Sequence, residues 1–364
     1  MRPVSASEPS ATSLAVPCAM ADRTVTPQIE LVVTDLDGTL WDGRGLIHSR
    51  TQRALRALAG SSVPVLAATG RRAWSAWAVM EANGVALPGV FLDGAIGREF
   101  GARTAFHKHA FIPAVAAEVL EVLEGQGVSP CINVDDPDRD VVLGEHPFTH
   151  PEYIRRLGPS VRKEDPRTAV RTLSVLAFTL LGGEPSMVRD LAAHVTARVP
   201  VAAAVSTDRT YGGLHLSFRP LGVSKWSGVL AFCDAQGLDA GRVLAIGDAD
   251  NDVELLEGAS LALAVADATP AVLAIADRVL PPASEGGWAE IVGLLGLSGE
   301  SSGSRFRDGL PVRCRPRGGD PDEREAELGQ SLGERSGMLA ETVTEPVDQE
   351  TEGVDRQSRL VELR

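Results

Sequence analysis

The sequence predicts an α/β protein with a doubly wound parallel-sheet core and an inserted α/β cap domain. Short apolar runs, typical of buried strands, alternate with helical patterns near the start of the chain, which indicates a parallel sheet. The alternation returns after about residue 214, and the stretch between carries hairpin signals that favour an antiparallel sheet. Three of the apolar runs end in polar clusters, and open α/β sheets bind ligands at the carboxyl ends of their strands.

The first segment of the core is predicted at residues 28–95. The run Ile29–Thr34 is apolar with one polar interruption, as expected of a strand that is buried on both faces. The elements predicted after it form further α/β units: a helix near His48–Ala59, a strand at 63–68, a helix near Ala73–Asn83 with Gly84 as its C-cap, and a strand at Val90–Leu92.

The cap domain is predicted at residues 96–213. Its patterns indicate a helix, a hairpin, a strand and a second helix, at 113–125, 131–143, 173–180 and 186–198. The core is predicted to resume at residues 214–297. Its expected elements alternate between strand and helix: strand 214–218, helix 224–236, strand 243–246, helix 251–258, strand 261–265, helix 270–276 and strand 279–280.

The two ends of the chain differ from this part in composition. Residues 1–27 are rich in Ser, Ala, Pro and Thr without a period, and they predict a flexible leader. Residues 298–364 are rich in Gly, Pro, Arg and Glu and contain few large apolar residues. We expect this segment to be a disordered tail, because such a composition buries too little apolar surface to offset the entropy of ordering.

The overall composition argues against some classes of function. The formal net charge is −14 without an offsetting basic patch, which disfavours nucleic-acid binding. No run reaches the ~18 apolar residues that a membrane span requires, and the N-terminus lacks the apolar core of a signal peptide. Four scattered cysteines show no metal-ligand spacing, as in proteins of a reducing compartment. We therefore expect a cytoplasmic protein with no nucleic-acid or membrane partner.

Two carboxylates, Asp35 and Asp37 of the string DLDGTL, directly follow the first predicted strand. Residues at i and i+2 share one face of a strand, and Gly38 lets the backbone turn so that both carboxylates can approach one point. Such a pair can hold a hard cation, and a carboxylate can also attack phosphorus. Asp35 and Asp37 are therefore candidate catalytic residues.

Three later strings supply the other groups that phosphoryl chemistry needs. ATGR at 68–71 ends a predicted strand with the hydroxyl of Thr69 and the small Gly70. GVSK at 222–225 places Lys225 just before a helical pattern, and GDADND at 247–252 ends another strand in carboxylates.

In this order, the four strings resemble the haloacid dehalogenase-like hydrolases, specifically the Cof-type sugar-phosphatase branch with mannosyl-3-phosphoglycerate phosphatase among its members. The resemblance covers about residues 28–297. It implies a Rossmann-like core and a cap that closes over the site. It also implies a Mg²⁺-dependent phosphatase that acts through an aspartyl-phosphate on a small phosphorylated metabolite, either a sugar phosphate or a phosphoglycerate-type ester.

The resemblance also implies roles for particular residues. Asp35 is the candidate nucleophile, and Asp37 is the candidate general acid and base. The hydroxyl of Thr69 is expected to donate to a phosphoryl oxygen, and Lys225 to offset the negative charge of Asp35 and the phosphate. Gly70, Arg71 and Asn251 are the expected substrate contacts, although Arg71 could instead neutralise a nearby acid.

Four aspartates are the expected metal ligands: Asp35, Asp37 through its backbone carbonyl, Asp248 and Asp252. For Asp252, the alternatives are direct ligation, ligation through water, or a contact that holds Lys225. A set of oxygen ligands suits Mg²⁺.

Two features depart from simple expectations. Asp93 of the string DGA stands where the family usually has Asn, and it adds a negative charge near the expected phosphate site. The acidic run Asp135–Asp140 lacks the Gly and the distal Glu of a calcium loop, so it predicts a hairpin turn instead.

Two other functions stay open, a phosphomutase of the same superfamily and a non-catalytic binding protein. Neither the substrate nor the oligomeric state follows from the sequence.

Overall fold

The structure, a computed structural model, describes residues 28–207 and 211–297. The predicted leader and tail lie outside these residues. In the described part, two sheets organise the chain. The first sheet has eight strands: β1 (Leu31–Thr34), β2 (Val65–Ala68), β3 (Gly89–Phe91), β4 (Ile96–Arg98), β5 (Ala105–Lys108), β12 (Val243–Gly247), β13 (Leu261–Val265) and β14 (Arg278–Leu280).

The strands of the first sheet lie in the order β14-β13-β12-β1-β2-β3-β4-β5. The pairs from β14 to β3 are parallel, whereas β4 and β5 continue the sheet in antiparallel fashion. The order reverses direction at β1, which has β12 on one side and β2 on the other. Such a switch point opens a crevice at the carboxyl ends of the strands, where α/β proteins bind ligands.

The second sheet has six strands within the described residues: β6 (Cys131–Val134), β7 (Val141–Leu143), β8 (Val161–Arg162), β9 (Val175–Gly183), β10 (Val201–Thr207) and β11 (Leu214–Pro220). Their order is β10-β11-β9-β6-β7-β8, and all pairs except β7–β8 are antiparallel.

Ten α-helices are found in the described part of the chain: α1 (Ser49–Ala59), α2 (Ala73–Ala82), α3 (Pro113–Gly125), α4 (Pro151–Leu157), α5 (Pro166–Thr172), α6 (Pro185–Thr196), α7 (Lys225–Gln236), α8 (Val253–Gly258), α9 (Pro270–Ile275) and α10 (Ile291–Leu294). None of the described helices has the length and the apolar composition to cross a membrane.

Helices cover both faces of the first sheet. Successive side chains of β1 point in opposite directions and therefore pack in two different apolar layers. Val32 packs in the apolar layer that contains residues of α1 and α2, such as Leu58 and Met80. Leu31 and Val33 pack in the opposite layer with residues of α7 and α8. The predicted α/β class with a doubly wound, mainly parallel core is therefore confirmed.

The strand pairing places two segments differently from the predicted domain boundaries. Strands β4 and β5 lie in the first sheet, although residues from 96 onward were expected in the cap. Strand β11 lies in the second sheet, although residues from 214 onward were expected in the core. A short strand has the same apolar alternation in either sheet, so its pattern does not specify its partner. The division into a core and a cap domain otherwise stays a prediction.

The acidic loop, Asp135–Asp140, connects the antiparallel strands β6 and β7, as the hairpin prediction required. Two of its side chains, Asp135 and Asp140, pair with basic residues in or next to strands of the first sheet. Asp135 contacts Arg98 at 2.5 Å and Lys108 at 2.8 Å, and Asp140 pairs with Arg72. These ion pairs therefore connect the loop of the second sheet to the first sheet.

Candidate active site

The predicted site residues meet at the carboxyl ends of β1, β2 and β12. A cavity of about 520 Å³ opens there, lined on one side by loops of the first sheet and on the other by a face of the second sheet. Asp35, Asp37, Thr69, Gly70, Arg71, Asp248 and Asn251 are among its lining residues. The α/β topology explains this convergence, since parallel strands end at one edge of the sheet.

Lys225 joins two of the predicted carboxylates. Its Nζ atom donates to Asp35 Oδ1 at 2.6 Å and to Asp252 Oδ1 at 2.7 Å, and the lysine side chain is only 1% exposed. Helix α7 begins at Lys225, and Ser224 caps it with a side-chain hydrogen bond to the backbone N–H of Ser227. The cap therefore fixes the first turn of α7, which carries Lys225.

Asp252 supports this arrangement with its second oxygen. Asp252 Oδ2 accepts hydrogen bonds from the backbone N–H groups of Asp248 and Ala249, at 3.0 and 3.1 Å. A Cβ atom on Gly247 would lie 2.5 Å from the Cγ atom of Asp252, so glycine is needed for this close packing. Contact with Lys225, one of the alternatives for Asp252, is present in the structure.

Three buried carboxylates could hold a metal ion. One oxygen each from Asp35, Asp248 and Asp252 lies within 4.8 Å of the others, and Thr39 Oγ1 donates to Asp248 Oδ1 at 3.2 Å. A divalent cation with a preference for oxygen fits this donor set, because the cluster carries more negative charge than Lys225 alone offsets. The side chain of Asp37 is not part of this cluster, and its backbone carbonyl stays an expected ligand.

The charges of this cluster shift the ionisation of its members. Burial raises the pKa of Asp35, with contributions from the negative charges of Asp252 and Asp248, whereas the Lys225 ammonium opposes the rise. Burial by itself would lower the pKa of Lys225, but the neighbouring carboxylates Asp252 and Asp35 raise it. Lys225 is therefore a permanent cation in contact with the candidate nucleophile.

Asp37 is held by different partners. Arg71 donates through Nε and Nη2 to the two carboxylate oxygens, the second at 2.7 Å, and Trp41 Nε1 donates to Oδ1 at 3.0 Å. Burial would raise the pKa of Asp37, but the hydrogen bonds and the charge of Arg71 lower it. The structure thus shows Arg71 neutralising an acid, which was one of its two expected roles.

Thr69 and Gly70 line the same cavity as Asp35 and Asp37. The Thr69 hydroxyl accepts a hydrogen bond from the backbone N–H of Arg71 at 3.1 Å, which leaves the hydroxyl hydrogen available to an acceptor. A Cβ atom on Gly70 would lie 3.1 Å from Asp93 Oδ1. Asp93 is buried, and its Oδ1 accepts from Asn251 Nδ2 at 2.9 Å.

Sequence reasoning missed the polar residues that the second sheet turns toward the cavity. Asn133 on β6, Thr179 on β9 and His215 on β11 line it. Phe178 and Phe218, on the opposite face, pack in the apolar layer with α3 and α6. On β11 the available signal was the alternation of His215, Ser217 and Arg219 with apolar residues, whereas β6 and β9 each carry one polar residue in an apolar run.

Comparisons with other proteins agree with this geometry. A profile of the haloacid dehalogenase-like hydrolases matches residues 32–292. The phosphoglycolate phosphatase of Methanopyrus kandleri is 29% identical over 260 residues, which are 69% of this chain and 90% of that protein. The pyridoxal phosphate phosphatase YbhA of Escherichia coli is 24% identical over 264 residues, 69% of this chain and 92% of that protein.

A solved structure extends the similarity to the whole fold. BT1666 from Bacteroides thetaiotaomicron, a phosphatase of the same superfamily, has a TM-score of 0.61 to this structure at 18% identity. The match covers 77% of this chain and 100% of that chain. The family profile spans well over half of the sequence and includes all four site strings. The protein is therefore an enzyme of the haloacid dehalogenase-like hydrolase family.

Proposed function

We propose that this hydrolase is a Mg²⁺-dependent phosphatase that releases inorganic phosphate from a small phosphorylated metabolite. The observation that carries the proposal is the contact of Asp35 with Lys225 beside the buried carboxylates Asp248 and Asp252. A carboxylate with a fixed cation on one side can attack a phosphoryl group without repelling it. The names of the two phosphatase relatives support the same reaction.

In the first step, a carboxylate oxygen of Asp35 attacks phosphorus in line while the bond from phosphorus to the ester oxygen breaks. Asp37 gives a proton to the leaving oxygen, and an aspartyl-phosphate forms on Asp35. Asp37 then takes a proton from water as the water attacks phosphorus, which releases phosphate and restores Asp35. The hydroxyl of Thr69 and the ammonium of Lys225 stabilise the negative charge of the transferring group.

A bound Mg²⁺ would supply further positive charge beside the phosphoryl group. Asp35 and Asp248 would hold Mg²⁺, with Asp252 beside them, and the bound ion would neutralise phosphoryl oxygens. Asp252 already uses both of its oxygens for Lys225 and for backbone N–H groups, so we assign it mainly to positioning.

The cavity limits the size of the substrate. At about 520 Å³ it falls within the range of pockets that enclose a whole small molecule. Sugar phosphates and phosphoglycerate-type esters are the leading classes. Phosphoglycolate and pyridoxal phosphate belong in the same test, because the names of the relatives specify them.

The test is phosphate release from these four classes of ester, with Mg²⁺ and with a chelator, by the native protein and by Asp35→Asn. Asp190→Asn, which makes the same change at an exposed position of α6, is the matched control. We expect metal-dependent release that Asp35→Asn abolishes and Asp190→Asn retains. Undiminished release by Asp35→Asn would overturn the proposed nucleophile. Production of an isomerised phosphosugar without phosphate would indicate the phosphomutase instead.

A further inference from the structure

The turn that contains Asp93 is the part of the site that departs from the family pattern. Leu92 and Asp93 both have positive φ angles, 52° and 51°. This backbone region is costly for residues other than glycine, and such strain persists only where the surroundings hold it. The turn is held from one side by two backbone hydrogen bonds, from Asp93 N to Thr69 O and from Leu92 N to Arg71 O, both 3.0 Å long.

The same turn is held from the other side by the start of α7. A Cβ atom on Gly94 would lie 1.9 Å from the carbonyl oxygen of Ser224, so the two backbones are in direct contact. Asp93 is thus fixed between the loop that carries Thr69 and Gly70 and the helix start that carries Lys225. Its side chain is also restricted, because it is buried and its Oδ1 atom accepts a hydrogen bond from Asn251.

The Asp93 carboxylate is buried, 2% exposed, yet it has positive neighbours. Burial would raise the pKa of Asp93, but the charges of Arg219, Lys225 and His215 and the hydrogen bond from Asn251 lower it. Arg219, on β11, also donates to the backbone carbonyl of Asp93 at 3.0 Å. These neighbours favour the ionised carboxylate, which can only accept hydrogen bonds.

An acceptor of this kind fixes the amide of Asn251. Asn251 Nδ2 donates to Asp93 Oδ1, so the amide nitrogen must face Asp93. An asparagine at position 93 could bind the amide of Asn251 in either orientation, because a carboxamide both donates and accepts. Asp93 Oδ1 in turn lies next to Gly70, another expected substrate contact, so the nitrogen of Asn251 is held near the expected position of the phosphoryl group.

We propose that Asp93 is a positioning residue that locks Asn251 with its amide nitrogen toward the phosphoryl group. The first N–H of Nδ2 binds Asp93, and the second donates to a phosphoryl oxygen of the substrate. The inference rests on the proposed function, since it specifies how the same site recognises phosphate. It explains why the added negative charge of Asp93 is compatible with an anionic substrate: the charge is satisfied by Asn251 and by the cations around it.

The test exchanges the donor and the acceptor of the hydrogen bond between Asn251 and Asp93. Asn251→Asp places two carboxylates in contact, so we expect loss of both stability and phosphate binding. The double variant Asp93→Asn with Asn251→Asp restores a hydrogen bond between the two positions, with the donor and the acceptor reversed. Its stability should recover, but an acceptor-only group now occupies position 251. The affinity for inorganic phosphate should stay at least tenfold below native, the loss expected for one hydrogen bond to a charged group.

Three measurements separate the outcomes: the Tm, calorimetric binding of inorganic phosphate in the presence of Mg²⁺, and kcat and KM for an ester. Asp190→Asn is again the control. Recovery of both Tm and phosphate affinity in the double variant would overturn the inference, because a structural pair needs only the hydrogen bond. Native phosphate affinity in Asn251→Asp, or no phosphate binding by the native protein, would overturn it as well. A native protein that binds phosphate but hydrolyses no ester would count against the proposed function and leave the binding test decisive.

Discussion

Arg71 holds both carboxylate oxygens of Asp37, which precedes it by 34 residues, with the Nη2 atom 2.7 Å from Oδ1. A two-point contact of this kind stabilises the ionised carboxylate more than a single hydrogen bond would. Under the proposed mechanism, Asp37 must carry a proton in the first step and accept one in the second. The arginine therefore favours the form of Asp37 that serves hydrolysis of the aspartyl-phosphate.

We expect Arg71→Gln to move the pH–rate profile. A general acid loses activity as the pH rises through its pKa, and the pKa of Asp37 is lowered by Arg71. Removal of Arg71 raises that pKa, so the limb on which activity falls with rising pH should move to higher pH. The measurement is kcat/KM against pH for an alkyl phosphate and for p-nitrophenyl phosphate. The shift should be smaller for the second ester, whose leaving group needs no proton.

Arg167→Gln is the control for this experiment, because Arg167 pairs with Glu124 on the surface. Its profile should coincide with that of the native protein. An unmoved limb in Arg71→Gln with the alkyl ester would contradict the assignment of Asp37 as the acid.

The second prediction concerns the buried cation Lys225. Lys225→Met leaves Asp35 and Asp252 buried without their counter-charge, and loss of one partner of a buried ion pair costs about 3–5 kcal/mol. We expect the free energy of unfolding, measured in urea, to fall by about this amount. Addition of Asp252→Asn should recover part of the loss, since it removes one of the unpaired charges. A single variant within about 1 kcal/mol of native stability would show that the pair is not effectively buried.

The third prediction concerns the seat of the acidic loop. Asp135→Asn weakens the contacts with Arg98 and Lys108, of which Arg98 has a side chain only 6% exposed. Because the second sheet forms one side of the cavity, we expect KM to rise several-fold with a smaller change in kcat. Asp138→Asn is the matched control in the same loop: its pair with Arg103 is exposed on both sides, 66% and 61%, and such pairs contribute about 0–1 kcal/mol. Equal effects of the two variants on KM would refute a role for the buried pair.

The fourth prediction compares two glycines with positive φ. Gly94 has φ 102° and would place a Cβ atom 1.9 Å from Ser224 O, whereas Gly101 has φ 73° and has open space around it. Gly101→Ala should cost about 1–2 kcal/mol, the backbone cost of that region. Gly94→Ala should cost clearly more, because the helix start that carries Lys225 must also move. Denaturation midpoints test this, and equal shifts would mean that the turn does not bear on α7.

The strand ends and their polar residues were predictable because their geometry is local. An apolar run followed by Asp35 and Asp37 can place those carboxylates only at the carboxyl end of its strand, whatever the rest of the chain does. The same argument brought Thr69, Asp248 and Asp252 to one edge of the sheet, and the structure places them there. Lys225 followed from the resemblance to a family, and its contact with Asp35 agrees with it.

The partners of charged side chains were not predictable in the same way. A long side chain such as Arg71 reaches several groups, and only the folded positions of β1 and β2 decide that it binds Asp37. The contact of Asp93 with Asn251 joins residues that are 158 positions apart, so no spacing rule relates them.

By itself, the sequence determined the α/β class and the order of the site strings, and the family followed from those strings, because periodicity and strand-end chemistry act over a few residues. The tertiary structure decided which sheet contains β4, β5 and β11. Backbone hydrogen bonds can form with any neighbouring strand in a suitable register, so the sequence of a short strand does not specify its partner. It also decided that Arg71 neutralises Asp37, and that Asp93 faces Asn251. These contacts depend on distances between elements that are remote in sequence, which only the packing of the whole chain sets.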